Sequence, residues 1–409
     1  MECSILKINI FTYVYWPEQF LINELAEAFS QQGISVSVLT GLPNYPKGDF
    51  YPGYSIIKGP YSEMVSRVRI IRYPMHSRKS GFINLSINYI THLLSALVAQ
   101  IKLPNADWAF VFATSPITTA IPAIVWAKLN NAKVCVWLQD LWPDSVSAVG
   151  AINKKSVSYR ILGYMVRWIY GHVDLMLIQS PGFKNNLIEF GYMGPVVIAP
   201  NWAPDVEFHD PKIPDWFKIN DECIHITFAG NIGVAQGIDT IILAARGLIS
   251  EESIHFHIVG DGSDLPRIKN ETKNLKQVHF YGRKPVIDMP GLFKKSTALL
   301  VALKSDPIFE NTIPSKIQAY MASAKPIIAA IDGVGAKVID DSGSGLVGPA
   351  ENVEKLIQNI LKIRSMSIEE RELMGKKARL HYDQNYTKTV TIRLIETTLD
   401  QNTETDHSR

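Results

Sequence analysis

Short apolar runs rich in β-branched residues alternate with segments of helical periodicity along most of the chain. In the first half, these runs predict strands near Ile5–Tyr13, Ile34–Thr40, Arg69–Tyr73, Trp108–Ala113, Lys133–Leu138, Asp174–Gln179 and Val196–Ala199. The segments between them predict helices, notably Glu18–Gln32, Pro116–Leu129 and Ser156–Gly171. A run such as VCVWL is apolar on both faces, which is typical of a parallel sheet covered by helices.

The same alternation restarts after a Pro- and Asp-rich stretch, Pro200–Trp216, which we take as the domain boundary. Beyond it we predict strands near Ile224–Ala229, His255–Val259, Val278–Tyr281, Ala298–Ala302 and Ile327–Ala330, then charged helices at Val353–Arg364 and Ser367–Tyr382. The predicted fold class is therefore α/β, with two doubly wound, Rossmann-like domains that face a cleft. We assign 1–200 to the first domain, 201–383 to the second, and 384–409 to a C-terminal helix and polar tail.

Composition adds limits to this interpretation. At 409 residues, with 46% hydrophobic and 20% charged residues, the chain is ordinary for a folded protein of two domains. The net charge of +2 gives no sign of a nucleic-acid partner, and we expect none. Cys3, Cys135 and Cys223 are far apart and form no CxxC pair, which disfavours a disulfide framework. The first residues lack the pattern of a signal peptide, so a cytoplasmic location is expected.

The segment Ser305–Ala330 predicts a loop, a helix with Pro314 in its first turn, and a buried strand. Ser315 and Lys316 follow the proline, so backbone N–H groups, a hydroxyl and an ammonium converge at one helix N-terminus. Such a terminus binds anions, although a simple capped surface helix would have the same pattern.

Glycine-bearing turns follow three consecutive predicted strands of the second half, in FAGNIGVAQG, HIVGDGSD and FYGRK. They contain Gly230, Gly233, Gly260, Gly262, Arg283 and Lys284. Because the carboxyl ends of parallel strands meet at one edge, these turns could together bind a phosphate-bearing ligand. Each could equally be an ordinary tight turn, and none has the GxGxxG spacing of dinucleotide-binding proteins.

Two carboxylates stand out in the first half. Asp140, in VWLQDLWPDS, ends a buried strand, where a carboxylate needs partners or solvent. Asp140, or Asp144 four residues later, could polarise a substrate hydroxyl, or either could merely cap a turn. Glu18, in YVYWPEQF, follows Pro17 at the predicted start of a helix and is either a substrate contact or part of helix initiation.

A basic run, Arg67–Lys79, precedes an amphipathic segment, Gly81–Lys102. The polar residues of that segment form one stripe, and an apolar face lies opposite, made of Ile83, Ile87, Ile90, Leu94 and Leu97. The segment predicts either a helix packed on the core or contact of 67–102 with a membrane surface. Basic and aromatic residues in Lys154–Tyr170 favour the second interpretation.

The sequence PSKIQAYMASAKPII resembles the helix–turn–strand in the C-terminal domain of retaining, two-domain nucleotide-sugar glycosyltransferases of the GT-B, family 4-like class. Its PSK is similar to that of the bacterial polysaccharide branch, which includes L-fucosaminyltransferases. The resemblance implies a metal-independent enzyme that needs no cofactor and takes a nucleotide sugar, with UDP favoured, as its donor. It implies a polyprenyl-diphosphate-linked glycan acceptor at the inner face of the cytoplasmic membrane, in O-antigen or capsule synthesis. A last helix, Thr387–Asp400, would cross back onto the first domain.

The resemblance also implies roles for individual residues. The glycine turns, Ser315 and Lys316 would bind the donor, Glu18 would contact the acceptor, and Asp140 would face the transferred sugar. Two glutamates of the family, eight positions apart, fall here on Asn311 and Ala319, which leaves Glu310, one residue out of register, as the candidate.

The glycine turn departs from the family as well. Its usual Arg and Lys are replaced by the neutral Asn231 and Gln236, so we expect Lys316 to supply the charge for the donor diphosphate. Arg283 and Lys304 are further cations of this part of the sequence. Two other functions remain open at this stage: a nucleotide-sugar epimerase of the same architecture and a catalytically silent nucleotide-sugar-binding protein.

Overall fold

The computed structural model describes residues 5–46, 48–79, 81–148, 152–203, 208, 211–220 and 222–407. Cys3, part of the predicted boundary stretch and the end of the polar tail lie outside the described residues. The chain divides into two compact units, one made of Met1–Ala199 with Ile392–Arg409 and the other of Pro200–Thr391.

The first unit is built on an eight-stranded sheet. Its strands are β1 (Lys7–Thr12), β2 (Ser35–Gly41), β3 (Ser62–Val65), β4 (Val68–Tyr73), β5 (Trp108–Ala113), β6 (Lys133–Leu138), β7 (Leu175–Ile178) and β8 (Val196–Ile198). Their order is β3-β4-β2-β1-β5-β6-β7-β8, and β3 alone among them runs antiparallel to its neighbour. The helices are α1 (Leu21–Gln31), α2 (Phe82–Ala99), α3 (Ala120–Asn130), α4 (Asp144–Ala148), α5 (Val157–Tyr170) and α6 (Phe183–Glu189).

The second unit is built on a six-stranded parallel sheet of order β11-β10-β9-β12-β13-β14. Its strands are β9 (Ile224–Ala229), β10 (Ile254–Val259), β11 (Val278–Gly282), β12 (Ala298–Ala302), β13 (Ile327–Ala330) and β14 (Gly345–Gly348). The helices are α7 (Ile238–Gly247), α8 (Leu265–Glu271), α9 (Met289–Lys295), α10 (Pro307–Glu310), α11 (Ser315–Ala322), α12 (Gly333–Asp341), α13 (Val353–Ser365) and α14 (Ile368–Asn385). The last helix, α15 (Lys388–His407), belongs from Ile392 onward to the first unit.

The predicted α/β class with two doubly wound domains is confirmed. The predicted bounds of Trp108–Ala113, Lys133–Leu138 and Ile224–Ala229 coincide with the observed strands, because their apolar runs are continuous and sharply bounded. Strands β3 and β14 were not predicted, since each has only four residues and neither is an apolar run with clear bounds. The prediction that a helix begins at Glu18 is wrong, because α1 begins at Leu21.

One apolar core packs three helices of the first unit against the same face of its sheet. Val111 on β5 and Val136 on β6 share a buried cluster with Ala96 on α2, Ile124 on α3 and Ile169 on α5. Helices α2, α3 and α5 therefore lie side by side on one face of the sheet, and their outer surfaces face the same way.

Helix α2 turns its polar stripe toward this core. The Asn88 side chain accepts a hydrogen bond from the Tyr13 hydroxyl at 2.6 Å. The His92 ring lies between the Tyr73 hydroxyl, at 2.8 Å, and the Thr119 hydroxyl, at 3.0 Å. The polar face is therefore the inner one, and the helix exposes its apolar face.

The basic run before α2 is exposed only in part, so one arginine of the predicted membrane contact through 67–102 faces the interior. Arg72 is buried, pairs with Glu63 at 2.6 Å, and donates to the Gly41 carbonyl at 3.1 Å. A buried guanidinium needs such partners, since an unpaired buried charge is costly. Within the described ranges, no helix is both long and apolar enough to cross a bilayer.

Candidate functional site

The loops after β9, β10, β11 and β12 are joined at the carboxyl edge of the second sheet. The Gly230 N–H donates to the Val259 carbonyl and the Gly260 N–H to the Gly282 carbonyl, both at 2.9 Å. The Lys304 N–H donates to the Ala235 carbonyl at 3.1 Å. The predicted glycine turns thus form one connected edge, as their place after parallel strands requires.

Glycine is required in these turns because backbone packs directly on backbone. Gly230 and Gly260 have φ of +146° and +145°, values that residues with a Cβ rarely adopt. A Cβ at Gly260 would lie 1.8 Å from the Gly230 carbonyl oxygen, and one at Gly262 would lie 2.2 Å from the Ile232 carbonyl oxygen. Gly233 is buried and lies beside the side-chain amide of Asn231. Asn231 itself is exposed.

Lys316 reaches from the first turn of α11 over the Gly230 turn. Its ammonium contacts the Gln236 side-chain oxygen and lies 4.0 Å from the centroid of the Phe228 ring. A Cβ at Gly230 would lie 2.4 Å from its Cε, so this glycine leaves room for the lysine stem. Burial lowers the pKa of Lys316 to about 7, because the site desolvates the ammonium.

The helix that carries Lys316 is anchored to the end of β9. The Tyr320 hydroxyl accepts a hydrogen bond from the Ala229 N–H at 3.0 Å, and Tyr320 is fully buried. Tyr320 was not predicted, although its position four residues after Lys316 puts both side chains on one face of the helix. Pro314 is the N-cap residue and Ser315 is the first helical residue. The helix therefore begins one residue later than the prediction that put Pro314 in its first turn.

The remaining predicted residues of the second unit lie on loops of the same edge. Arg283 is exposed directly after β11, and Glu310 is exposed at the last residue of α10. The Lys284 ammonium lies 4.7 Å from the centroid of the Trp216 ring. The ammonium that contacts Gln236 belongs instead to Lys316. Ser315 is exposed beside Lys316 at the start of α11.

In the first unit, Asp140 follows β6 as predicted and is half-buried. Its carboxylate accepts a hydrogen bond from the Ser115 hydroxyl at 2.8 Å, and the same hydroxyl accepts one from the Trp142 indole at 3.0 Å. Burial raises the pKa of Asp140, and the hydrogen bonds from Ser115 oppose that rise in part. Ser115, which sequence reasoning missed, therefore fixes the orientation of this carboxylate.

The Glu18 carboxylate joins two loops of the first unit. It accepts backbone hydrogen bonds from Asn44 at 2.8 Å, Tyr45 at 2.7 Å and Tyr15 at 3.2 Å. Burial raises the pKa of Glu18, and these three N–H groups oppose the rise. Glu18 thus holds the loop after β1 against the loop after β2 and is not the first-turn residue that was predicted.

The Asp144 carboxylate binds side chains of neighbouring segments, which differs from the turn cap that was its structural alternative. Its carboxylate accepts hydrogen bonds from the Tyr159 hydroxyl at 2.9 Å and the Asn186 amide at 3.2 Å, and it pairs with Lys154 at 2.8 Å. These partners connect α4, α5 and α6. Among the described residues, no group of three or more His, Cys, Asp or Glu side chains is arranged to hold a metal ion.

Two family models match successive parts of this chain. Residues 21–202 match the Glycosyl transferase 4-like domain, and residues 210–381 match Glycosyl transferases group 1. The matches correspond closely to the two structural units.

Two relatives and a solved structure resemble the chain over most of its length. The chain is 24% identical to the probable glycosyltransferase WbjE of Pseudomonas aeruginosa, over 74% of this chain and 78% of that protein. It is 25% identical to the putative colanic acid biosynthesis glycosyl transferase WcaI of Escherichia coli K12, over 78% and 81% respectively. An E. coli structure described as trehalose-6-phosphate bound with UDP-2-fluoro glucose superposes with a TM-score of 0.73 at 9% identity, over 97% of this chain and 99% of that one. At that identity the likeness concerns the fold, which is GT-B.

Proposed function

Because the chain consists of a glycosyl transferase 4-like domain followed by a group 1 glycosyl transferase domain, we propose that it is a retaining, metal-independent glycosyltransferase. It transfers a sugar from a nucleotide donor, with UDP favoured, to a polyprenyl-diphosphate-linked glycan. The position of Lys316 over the Gly230 turn is the observation that carries this proposal.

In this proposal Lys316 supplies the positive charge that the neutral Asn231 and Gln236 lack, and its contact with Gln236 supports that role. The resemblance puts Gln236 where the family has a lysine, and the Lys316 ammonium contacts the Gln236 side chain from α11. A leaving nucleoside diphosphate gains negative charge as the sugar bond breaks. The ammonium, the N–H groups of the glycine turns and the N-terminus of α11 are donors that stabilise such charge without a metal ion.

The acceptor hydroxyl is activated in the first unit. Asp140 is the carboxylate we assign to this role, since its raised pKa and its fixed orientation by Ser115 suit a group that accepts a proton or a hydrogen bond from the hydroxyl. Glu18 acts by holding the loops after β1 and β2 in place. Retention follows, in this proposal, from attack on the same face of the sugar that the diphosphate leaves.

The names of the relatives suggest the pathway. WcaI is described as a putative colanic acid biosynthesis glycosyl transferase and WbjE as a probable glycosyltransferase, so synthesis of a bacterial surface polysaccharide is the function we propose. N-acetyl-L-fucosamine and related 6-deoxy-amino sugars are the donors to test first.

The direct test incubates the full chain with a panel of UDP-, GDP- and dTDP-sugars and a bacterial membrane extract. We expect release of one nucleoside diphosphate that depends on both donor and extract, together with a lipid-extractable glycan product. Asp140→Asn is the matched variant, and it should bind donor but lower transfer by about 10²-fold or more. Donor binding without turnover by the wild type would instead support a silent binding protein, and conversion of the sugar without an acceptor would support an epimerase.

A further inference from the structure

The outer surface of α2 is apolar along its whole length. Ile83 and Val98 expose 74% and 70% of their surface, near the two ends of the helix. The exposed residues on this face are Ile83, Ile87, Ile90, Leu94 and Val98, with Ile101 just beyond the helix. Their spacing keeps them in one stripe, opposite the buried Asn88 and His92. A surface helix of a water-soluble protein ordinarily buries its apolar face and exposes its polar face.

A second apolar stripe lies on α5. It consists of Val157, Ile161, Tyr164 and Trp168, which are exposed and spaced by three or four residues. Since α2 and α5 pack on the same face of the sheet with α3 between them, both stripes face the same way. Together they form an exposed surface, here called the two-helix surface, that is far more apolar than the outer face of one ordinary helix.

Cations flank both stripes of the two-helix surface. An exposed carboxylate, Glu189 on α6, lies beside α5, where its backbone carbonyl accepts a hydrogen bond from Arg167 at 3.3 Å. Neither Phe82–Ala99 nor Val157–Tyr170 contains an aspartate or glutamate. The exposed cations beside the stripes are Lys102, Lys155, Arg160 and Arg167. Aliphatic side chains combined with Tyr, Trp and flanking Lys or Arg are typical of helices that lie in the headgroup region of a bilayer.

We propose that the two-helix surface docks this enzyme onto a bilayer that contains anionic lipid. The apolar stripes of α2 and α5 enter the headgroup region side by side, and the flanking cations contact lipid phosphates. The buried Arg72 has no part in this contact, in contrast to the sequence-based prediction that used the whole basic run. The evidence for membrane docking is independent of the donor site. Only the purpose of docking, which is access to a lipid-linked acceptor, rests on the proposed function.

Vesicle flotation of the full chain tests the docking surface. The wild type should float with vesicles that contain phosphatidylglycerol and much less with pure phosphatidylcholine. A fraction of the binding should persist at high salt, because screening weakens the charged contacts but not the apolar ones. No donor or acceptor is present, so a failure of sugar transfer would leave this result unchanged.

Three matched triple variants identify the surface. Ile83→Ser with Ile90→Ser and Leu94→Ser removes the α2 stripe, and Ile161→Ser with Tyr164→Ser and Trp168→Ser removes the α5 stripe. The control is Ile368→Ser with Leu373→Ser and Leu380→Ser, three comparably exposed apolar residues on α14 of the other unit. Each stripe variant should lower the vesicle partition coefficient by about a hundredfold, and the control should not.

Two outcomes would overturn the proposal. The first is equal flotation of the stripe variants, the control and the wild type, with thermal melts showing that all are folded. The second is a wild-type dimer in sedimentation that the stripe variants dissociate while vesicle binding stays absent, because the surface would then contact a second copy of the chain.

Discussion

Affinity for the donor should depend on pH through Lys316. Its ammonium has a neutral oxygen of Gln236 and the Phe228 ring as neighbours, and burial lowers its pKa from 10.5 to about 7. That difference corresponds to roughly 5 kcal/mol of cost for the charged form, at about 1.4 kcal/mol per tenfold change. At neutral pH, about half of the free enzyme therefore carries an uncharged amine at this position.

A bound diphosphate reverses this preference. An anionic oxygen about 4 Å from the ammonium, at an effective dielectric constant near 20, contributes about 4 kcal/mol, which raises the lysine pKa toward roughly 10. Binding then takes up a proton. Affinity should be level below pH 7 and should fall about tenfold per pH unit above it, or roughly 50-fold between pH 7 and pH 9.

Calorimetric titration with UDP between pH 7 and pH 9 measures how affinity depends on pH. The terminal phosphate of UDP is already ionised above pH 7, so its own titration does not contribute to the change. Repeating it in buffers of different ionisation enthalpy gives the number of protons taken up. Lys316→Arg should flatten the dependence and Lys316→Met should abolish it along with most of the affinity. Lys325→Met is the control, because burial also lowers the pKa of Lys325 but it lies beyond the far end of α11. A wild-type affinity that is constant from pH 7 to pH 9 would refute this reasoning.

Further predictions concern both units. Ser115→Ala should lower transfer by about 10-fold. It should also shift the pH profile of kcat toward higher pH, because Asp140 loses the hydrogen bond that opposes the rise of its pKa. An unchanged pH profile would contradict the positioning role of Ser115. Glu18→Ala should destabilise the chain by about 2–4 kcal/mol in urea titrations, since three backbone N–H groups, two of them buried, lose their acceptor. A loss below about 0.5 kcal/mol would contradict the loop-joining role. The free energy of unfolding should fall as the pH drops below about 6.5. Burial lowers the pKa of His257 to about 2, so this histidine takes up a proton in the unfolded chain at a higher pH than in the folded one. His257→Gln should reduce the loss of stability in thermal melts at pH 5.

The sequence identified strands more readily than the roles of side chains. Lys133–Leu138 could be predicted because burial on both faces leaves a continuous apolar run. The contact between Lys316 and Gln236 joins residues 80 positions apart and depends on how α11 returns to the end of β9. The periodicity of α2 separates a polar from an apolar face but does not say which is inside. That is decided by Tyr13, Tyr73 and Thr119, which belong to other elements.

The last helix has a consequence for how the protein is made. The buried indole of Trp108, on β5, donates to the Thr403 hydroxyl at 2.8 Å, and the Lys133 ammonium contacts the Asn402 carbonyl. A ribosome that has finished Ala199 must still synthesise all of Pro200–Thr391 before these partners emerge, which takes roughly 10–40 s at about 5–20 residues per second. The first unit to be translated is therefore the last to be completed. Its nascent form would be a natural client for chaperones until translation ends, and a stop codon that removes α15 would harm the unit encoded farthest from it.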